Sequence, residues 1–320
     1  MLVIPKVSTF LYFSALLACS ACDSSSSKGS SSADTAAKPP GGVGAQVKSG
    51  DKAKKPTAKD VANLTASLPP ADKVQAMVNS KKLKPYAGKT GAVRGIVRVT
   101  GDPPPAMPKV LAKMDAACTD SRATFGTLFR EGKDRALADV LVAVTGYDGF
   151  VPAQGTDLDV AGKGCAWDKR TYAMTFGQRV VIRGLDAGPY VPEILGLSMP
   201  AQLFVLPTAP PVQLAPRRPG RFKLVDSLRL YNVAELFVLA YSTVDVTELD
   251  GSFEIKGIPV GKVKVNAVLP QTGAVALKEI TIEAGKTIEI EFELAFDQSA
   301  YDKTEKPTPL DELPAPGARK

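Results

Sequence analysis

The chain of 320 residues contains no histidine. That absence removes the usual general base and the commonest metal ligand. A Ser-His-Asp triad, a Cys-His dyad and a His-based zinc or copper site are all excluded by composition. Aromatic residues are scarce, at 7%, against 26 prolines and 27 glycines. This balance favours strands and turns over a helical bundle. The longest largely apolar stretch, residues 7–18, is too short to span a bilayer, which takes about 20 residues. No Gly-rich phosphate loop is present. With 44% apolar residues the chain can still bury one large core or two small ones.

The formal charge of +7 is unevenly placed. Residues 1–59 hold eight Lys, no Arg and three Asp, so the remaining 261 residues are nearly neutral. A basic N-terminal tail fits a membrane headgroup region better than nucleic acid, which is not expected as a partner. Lys6 and the apolar residues 7–18 read as a cleaved export signal. The signal runs into Leu16-Leu17-Ala18-Cys19, which resembles the lipobox of bacterial lipoproteins. The resemblance implies acylation of Cys19, with Cys22 in Cys19-Ser20-Ala21-Cys22 as the alternative. Residues 19–59, rich in Ser, Ala, Lys, Pro and Gly, cannot form a core and are expected to be a lipid-anchored, disordered tether. Its flexible part has a mean reach of roughly 30–35 Å. The expected location is the cell envelope, on the inner or outer membrane, with the folded part periplasmic or extracellular.

Residues 60–90 are expected to hold a short helical segment or linker. Val74, Met77 and Val78 stand at helical spacing after Pro69-Pro70. From Gly91 the period changes to two. Val93, Gly95, Val97 and Val99 alternate with Arg94, Ile96, Arg98 and Thr100. Val140-Leu141-Val142-Ala143-Val144 is a second strand. Further strands follow around Val244-Asp245-Val246, Phe253-Glu254-Ile255, Val263-Lys264-Val265, Ile280-Thr281-Ile282 and Ile288-Glu289-Ile290. Alternation broken by Gly turns means antiparallel strands with one buried face, and an all-β fold. Residues 297–320, charged and proline-rich, are expected to be a flexible tail.

The segments at residues 91–99, 138–144 and 247–265 resemble the carboxypeptidase regulatory-like (transthyretin-like) sandwich, above all in Asp250-Gly251-Ser252-Phe253 and Pro259-Val260-Gly261. The resemblance implies a discontinuous antiparallel sandwich over residues 91–157 and 244–296, a passive module in most relatives. Between the two pieces, Gly164-Cys165-Ala166-Trp167, Gly177-Gln178 leading into Arg179-Val180-Val181-Ile182, and Pro219-Gly220-Arg221-Phe222 are similar to cupredoxin (plastocyanin-like) sequences. This implies a cupredoxin-like sandwich inserted at residues 158–243. Matched to the family pattern, the copper-ligand positions fall on Tyr190, Ser227, Leu230 and Val233. A type 1 copper site needs imidazoles and a thiolate, which these residues do not supply. Leu230 and Val233 are expected to fill the space as ordinary core.

An exported compartment favours a disulfide between Cys118 and Cys165. Two buried thiols, or Cys22 paired with another chain, remain open at this point. Asp134, Asp139, Asp157, Asp159 and Asp168 lack metal-site spacing and read as surface carboxylates. Tyr190, Tyr231 and Tyr241 read as half-buried tyrosines with wet hydroxyls, or as partner contacts at an open end. The chain is therefore expected to be a non-enzymatic, membrane-tethered binding or assembly module. No cofactor or metal is expected, and the partner would be another envelope protein or a small ligand. The alternative carried by the resemblance is copper binding or electron transfer, which the absence of His disfavours.

Overall fold

The computed structural model describes residues 68–197 and 202–304. The expected export signal at residues 1–18, Cys19 and Cys22, the expected tether over residues 19–59 and residues 305–320 lie outside the described residues. Among the described residues no helix is long and apolar enough to cross a membrane.

The fold is all-β, with two sandwiches of two sheets each. In the first, β1 (Thr90–Gly101) is the centre of a sheet, with β12 (Ser252–Pro259) antiparallel on one side and β15 (Thr287–Phe296) on the other. β15 runs parallel to β1, although the local alternation suggests antiparallel pairs throughout. The two are the first and last strands of this sandwich, so no hairpin dictates their direction. The facing sheet has the order β11 (Val244–Val246), β2 (Leu141–Thr145), β13 (Gly261–Leu269), β14 (Ala274–Ile282), all antiparallel. The period-two residues meet between the sheets: Val93, Val97 and Val99 pack with Val142, Val144, Phe253, Val265 and Phe292. Phe253 is anchored behind the Asp250-Gly251 turn, where Gly251 adopts φ +75° and a Cβ would stand 2.5 Å from the Val97 carbonyl oxygen. Burying such a ring is worth about 2–3 kcal/mol.

The second sandwich lies in the chain between β2 and β11. One sheet has the order β5 (Thr171–Thr175), β10 (Arg229–Leu239), β9 (Gly220–Asp226), β7 (Pro192–Ile194). The other runs β4 (Ala166–Trp167), β3 (Asp157–Lys163), β6 (Arg179–Gly184), β8 (Val212–Leu214). Its core is built from Trp167, Tyr190, Ile182, Ile194, Leu214, Leu224 and Leu236. Helix α1 (Ala71–Val78) lays Val74 and Val78 on this core. A Cβ at Gly177 would approach Val74 Cγ1 to 2.7 Å, so the turn before β6 must stay bare for the helix to dock.

Two short helices, α2 (Pro108–Leu111) and α3 (Thr119–Phe125), bring Cys118 against the inserted sandwich, where it forms a disulfide with Cys165. The expected tail begins as helix α4 (Gln298–Asp302), not as frayed chain. Asp297 caps it by accepting from Ala300 N–H, Gln298 N–H donates to Asp102, and Tyr301 packs on Phe296.

The two sandwiches are joined by a buried polar cluster. Asp139, read from sequence as a surface carboxylate, is 1% exposed. It accepts two bonds from Arg130, at 2.6 and 2.7 Å, and a third from Arg170 N–H at 2.8 Å. The Arg170 guanidinium donates to the Thr127 carbonyl and lies over the Phe125 ring. Burial draws the Arg170 pKa down to about 10, against the partial support of Asp139. Burial opposes the charge on Arg130 too, but the Asp139 carboxylate outweighs it and holds that pKa above the usual guanidinium value.

Candidate functional site

Of the positions matched to copper ligands, Tyr190 and Ser227 lie near each other at one end of the inserted sandwich, where Ser227 N–H donates to the Val191 carbonyl. The Tyr190 ring is fully buried and stacks on Trp167 with centroids 5.3 Å apart. Its hydroxyl donates to Asp186 and accepts from Cys165 N–H at 3.2 Å, so it is not the wet hydroxyl expected from sequence. Burial, then the Asp186 carboxylate, push the phenol well above its ordinary pKa and keep it protonated. The Arg229 guanidinium lies 5.1 Å above the ring and donates to the Pro189 carbonyl and to Asp226, each at 2.9 Å. Asp226, with no exposed side-chain surface, also accepts from Val191 and Leu228 N–H. Asp186, Asp226, Arg229 and the Tyr190 hydroxyl are thus committed to holding the surrounding loops together.

The remaining positions follow from the turn between β9 and β10. Arg229 pairs directly with Asp226, so the connection is a tight turn through Ser227 and Leu228, without room for a ligand loop. Ser227 Oγ donates to Glu193 at 3.2 Å. Leu230 lies on β10 and is 46% exposed, which corrects its expected role as core. Val233 is half-buried opposite Val225. Tyr231 leans on Phe125 with its hydroxyl toward the Cys165 carbonyl, whereas Tyr241 lies past the far end of β10 and belongs to a different region. Asp157 and Asp159 form ion pairs with Arg179 and Arg183 on the neighbouring strand β6.

What sequence reasoning missed is the surface that surrounds this network. Leu185, Phe204, Leu206, Leu228 and Leu230 are each 43–62% exposed. Val205 pairs with Tyr190 through two backbone bonds, which turns its neighbours Phe204 and Leu206 away from the core. Leu228 and Leu230 flank Arg229, and Leu185 follows β6, held by its N–H to the Gly162 carbonyl. The only signal in the sequence is a set of leucines near turns, indistinguishable there from core.

A concavity of about 650 Å³ lies beside β12, lined by Arg94, Asp245, Glu248, Glu254, Glu289 and Glu291 among others. Three of its acids are already neutralised, Glu289 by Arg94, Glu248 by Lys169 and Glu254 by Lys256. Asp245 is the one perturbed carboxyl lining it: burial raises its pKa, and backbone N–H bonds from Glu254 and Val246 offset part of the rise. One oxygen thereby ties β11 to Glu254 of β12 and the other accepts from the neighbouring Val246 N–H within β11, which is a structural task. A raised folded pKa stabilises the fold below the unfolded carboxylate value of about 3.9, and that contribution is lost as pH rises through the folded value. In urea titrations, the stability of the wild type minus that of Asp245→Asn should therefore fall as pH rises above the unfolded carboxylate value of about 3.9. A difference that stays level with pH would refute this role.

No protein-family model matches the chain, and no curated protein matches it. Among solved structures, 30% of the chain aligns with 24% of the Cu-containing nitrite reductase (NirK) from Thermus scotoductus SA-01, at 14% identity and a TM-score of 0.23. The chain thus spans about a quarter of that enzyme's length. A further 31% match covers 98% of a mutant of amicyanin in its Cu(I) form, at 13% identity and a TM-score of 0.22.

Proposed function

We propose that this protein is a lipid-tethered, non-enzymatic binding module of the cell envelope, which docks the apolar surface of another envelope protein on the loop end of its inserted sandwich. The observation that carries the reading is the group of five exposed Leu and Phe side chains around the closed Tyr190 network. Exposed apolar patches above a few hundred Å² mark interaction sites on soluble folds. The loops beneath are pinned by Asp186, Asp226 and Arg229, so little conformational freedom is lost on docking. The lipobox-like segment at Cys19 or Cys22 supports the tether, and the lack of His supports a binding role over catalysis or copper chemistry.

The test is photo-crosslinking in cells from position 228, with position 275 as control, since Val275 is also apolar and 70% exposed but lies on β14. One discrete adduct from 228, absent from 275 and lost in Leu230→Glu with thermal stability retained, is the expected result. Equal labelling from both positions, no adduct at 228, or an adduct only with a second copy would each refute the reading. Intact mass of the exported chain reports separately whether a cysteine carries acyl groups.

A further inference from the structure

We infer that the end of the molecule where the N-terminal segment enters is a headgroup-facing surface that seats the folded body on an anionic lipid bilayer. After α1 the chain turns at Asn79, whose side chain bonds both the N–H and the carbonyl of Leu83. It then runs along Phe150, held by Tyr86 N–H, and enters β1. There the Lys89 carbonyl accepts from Val260 N–H, Thr90 from Gly285 and Lys286 from Ala92. Lys81, Lys82, Lys84 and Lys89 therefore line up with the turns that carry Val260, Lys262 and Lys286. The loop after β2 joins the same end to the inserted sandwich, through Gln178 to Gly155 and Arg179 N–H to Thr156. Gly177, where α1 docks, is next to it.

The chemistry of this end differs from the rest of the surface. Lys73, Lys81, Lys82, Lys84, Lys89 and Lys262 are exposed and have no ion-pair partner among the described residues. The acids nearby are Asp72, Asp148, Asp157 and Glu283, the last two paired with Arg179 and Lys286. Leu68, Met77, Leu83 and Val260, each 39–43% exposed, are interspersed with the lysines. Long ammonium stems around modest apolar side chains suit an anionic headgroup layer, where each lysine strengthens binding roughly fivefold. The expected tether, residues 19–59, leads into the chain that enters here at Leu68, so an anchor at Cys19 or Cys22 brings this end to the bilayer first. β6 then leads from Arg179, at this end, to Gly184 beside the apolar loops, a distance of roughly 17 Å. Seating the lysines on lipid points the docking end of the proposed function away from the membrane; only this orientation rests on that reading.

The experiment uses the exported chain with vesicles of phosphatidylcholine alone, or with about a third phosphatidylglycerol, at roughly 0.1 M salt. Lysine reactivity toward an amine-specific reagent is read residue by residue by mass spectrometry. The comparison holds whether the chain reaches the vesicle through acyl groups or free from solution, so an absent anchor does not blur it. On the anionic vesicles Lys81, Lys82, Lys84, Lys89 and Lys262 should lose reactivity roughly fivefold or more. Lys163, at the far end of β3, should not change. Replacing Lys81, Lys82, Lys84 and Lys89 by Gln should abolish the protection of Lys262. Equal reactivity of these lysines on both vesicles, or protection of Lys262 that survives the fourfold change, would overturn the inference. Protection only by an added acidic protein would do the same.

Discussion

Asp139→Ala should lower the stability of the protein by about 3–5 kcal/mol, the largest effect expected of any single side chain here. The carboxylate is 1% exposed and neutralises Arg130, whose own side chain is 14% exposed, through two bonds in a forked geometry. Removing it leaves a buried guanidinium without a counter-ion and the Arg170 N–H without its acceptor. The cost is that of an uncompensated buried charge, several times larger than the net gain from an exposed pair. Asp139 also holds φ at +65°, where Ala is strained and Asn is tolerated. Asp139→Asn therefore isolates the charge from the backbone term and should cost less than Asp139→Ala. In a protein of this size the alanine variant should melt about 10 °C lower. A shift of only one or two degrees would mean that water reaches the cluster and screens it. Because Asp139 and Arg130 belong to one sandwich and Arg170 to the other, the loss should also loosen their junction. Hydrogen exchange at residues 168–171 would show this before global unfolding.

Removal of the disulfide should come second, at about 3–4 kcal/mol for Cys118→Ser with Cys165→Ser. The bond closes a loop with a sequence separation of 47 residues, so its main effect is on the unfolded chain. It also holds a local shape. Cys165 sits at φ +66°, unusual for a residue with a side chain, and its N–H bonds the Tyr190 hydroxyl. The preceding Gly164 is held from both sides, its carbonyl by Ser121 N–H and its N–H by Asp186. Without the crosslink the turn can relax and release the loop that carries Tyr190. Trp167, the sole tryptophan, stacks on Tyr190 two residues beyond Cys165, so its emission reports this change directly. Denaturant titrations followed by Trp167 fluorescence, with and without a dithiol reductant, give both numbers at once. A loss below about 1 kcal/mol would show that the helical segment and the inserted sandwich are held together by packing alone.

Much of the fold was legible because it depends on local rules. The period-two patterns at Val93 to Val99 and Val263 to Val265 specify strands with one buried face, and Gly251 specifies a turn that few other residues can make. The disulfide between Cys118 and Cys165, the favoured of the pairings that four cysteines left open, is present in the structure. The absence of His decided, before any coordinates, that no imidazole ligand stands at the positions matched to a copper site.

Only the tertiary structure decided what depends on distant partners. Asp139 looks like any surface carboxylate until Arg130 and Arg170 close over it from two sandwiches. Leu230 reads as core because it is a leucine at a ligand position, yet the two-residue turn at Ser227 and Leu228 places it on the outer face of β10. The pairing of β1 with β15 joins residues nearly two hundred positions apart, and no local pattern encodes its parallel direction. Sequence alone sets which side chains seek burial and where the chain can turn. Which of those side chains find a partner, and which are left facing solvent as a surface, is settled by the global packing, because the deciding contacts span the whole chain.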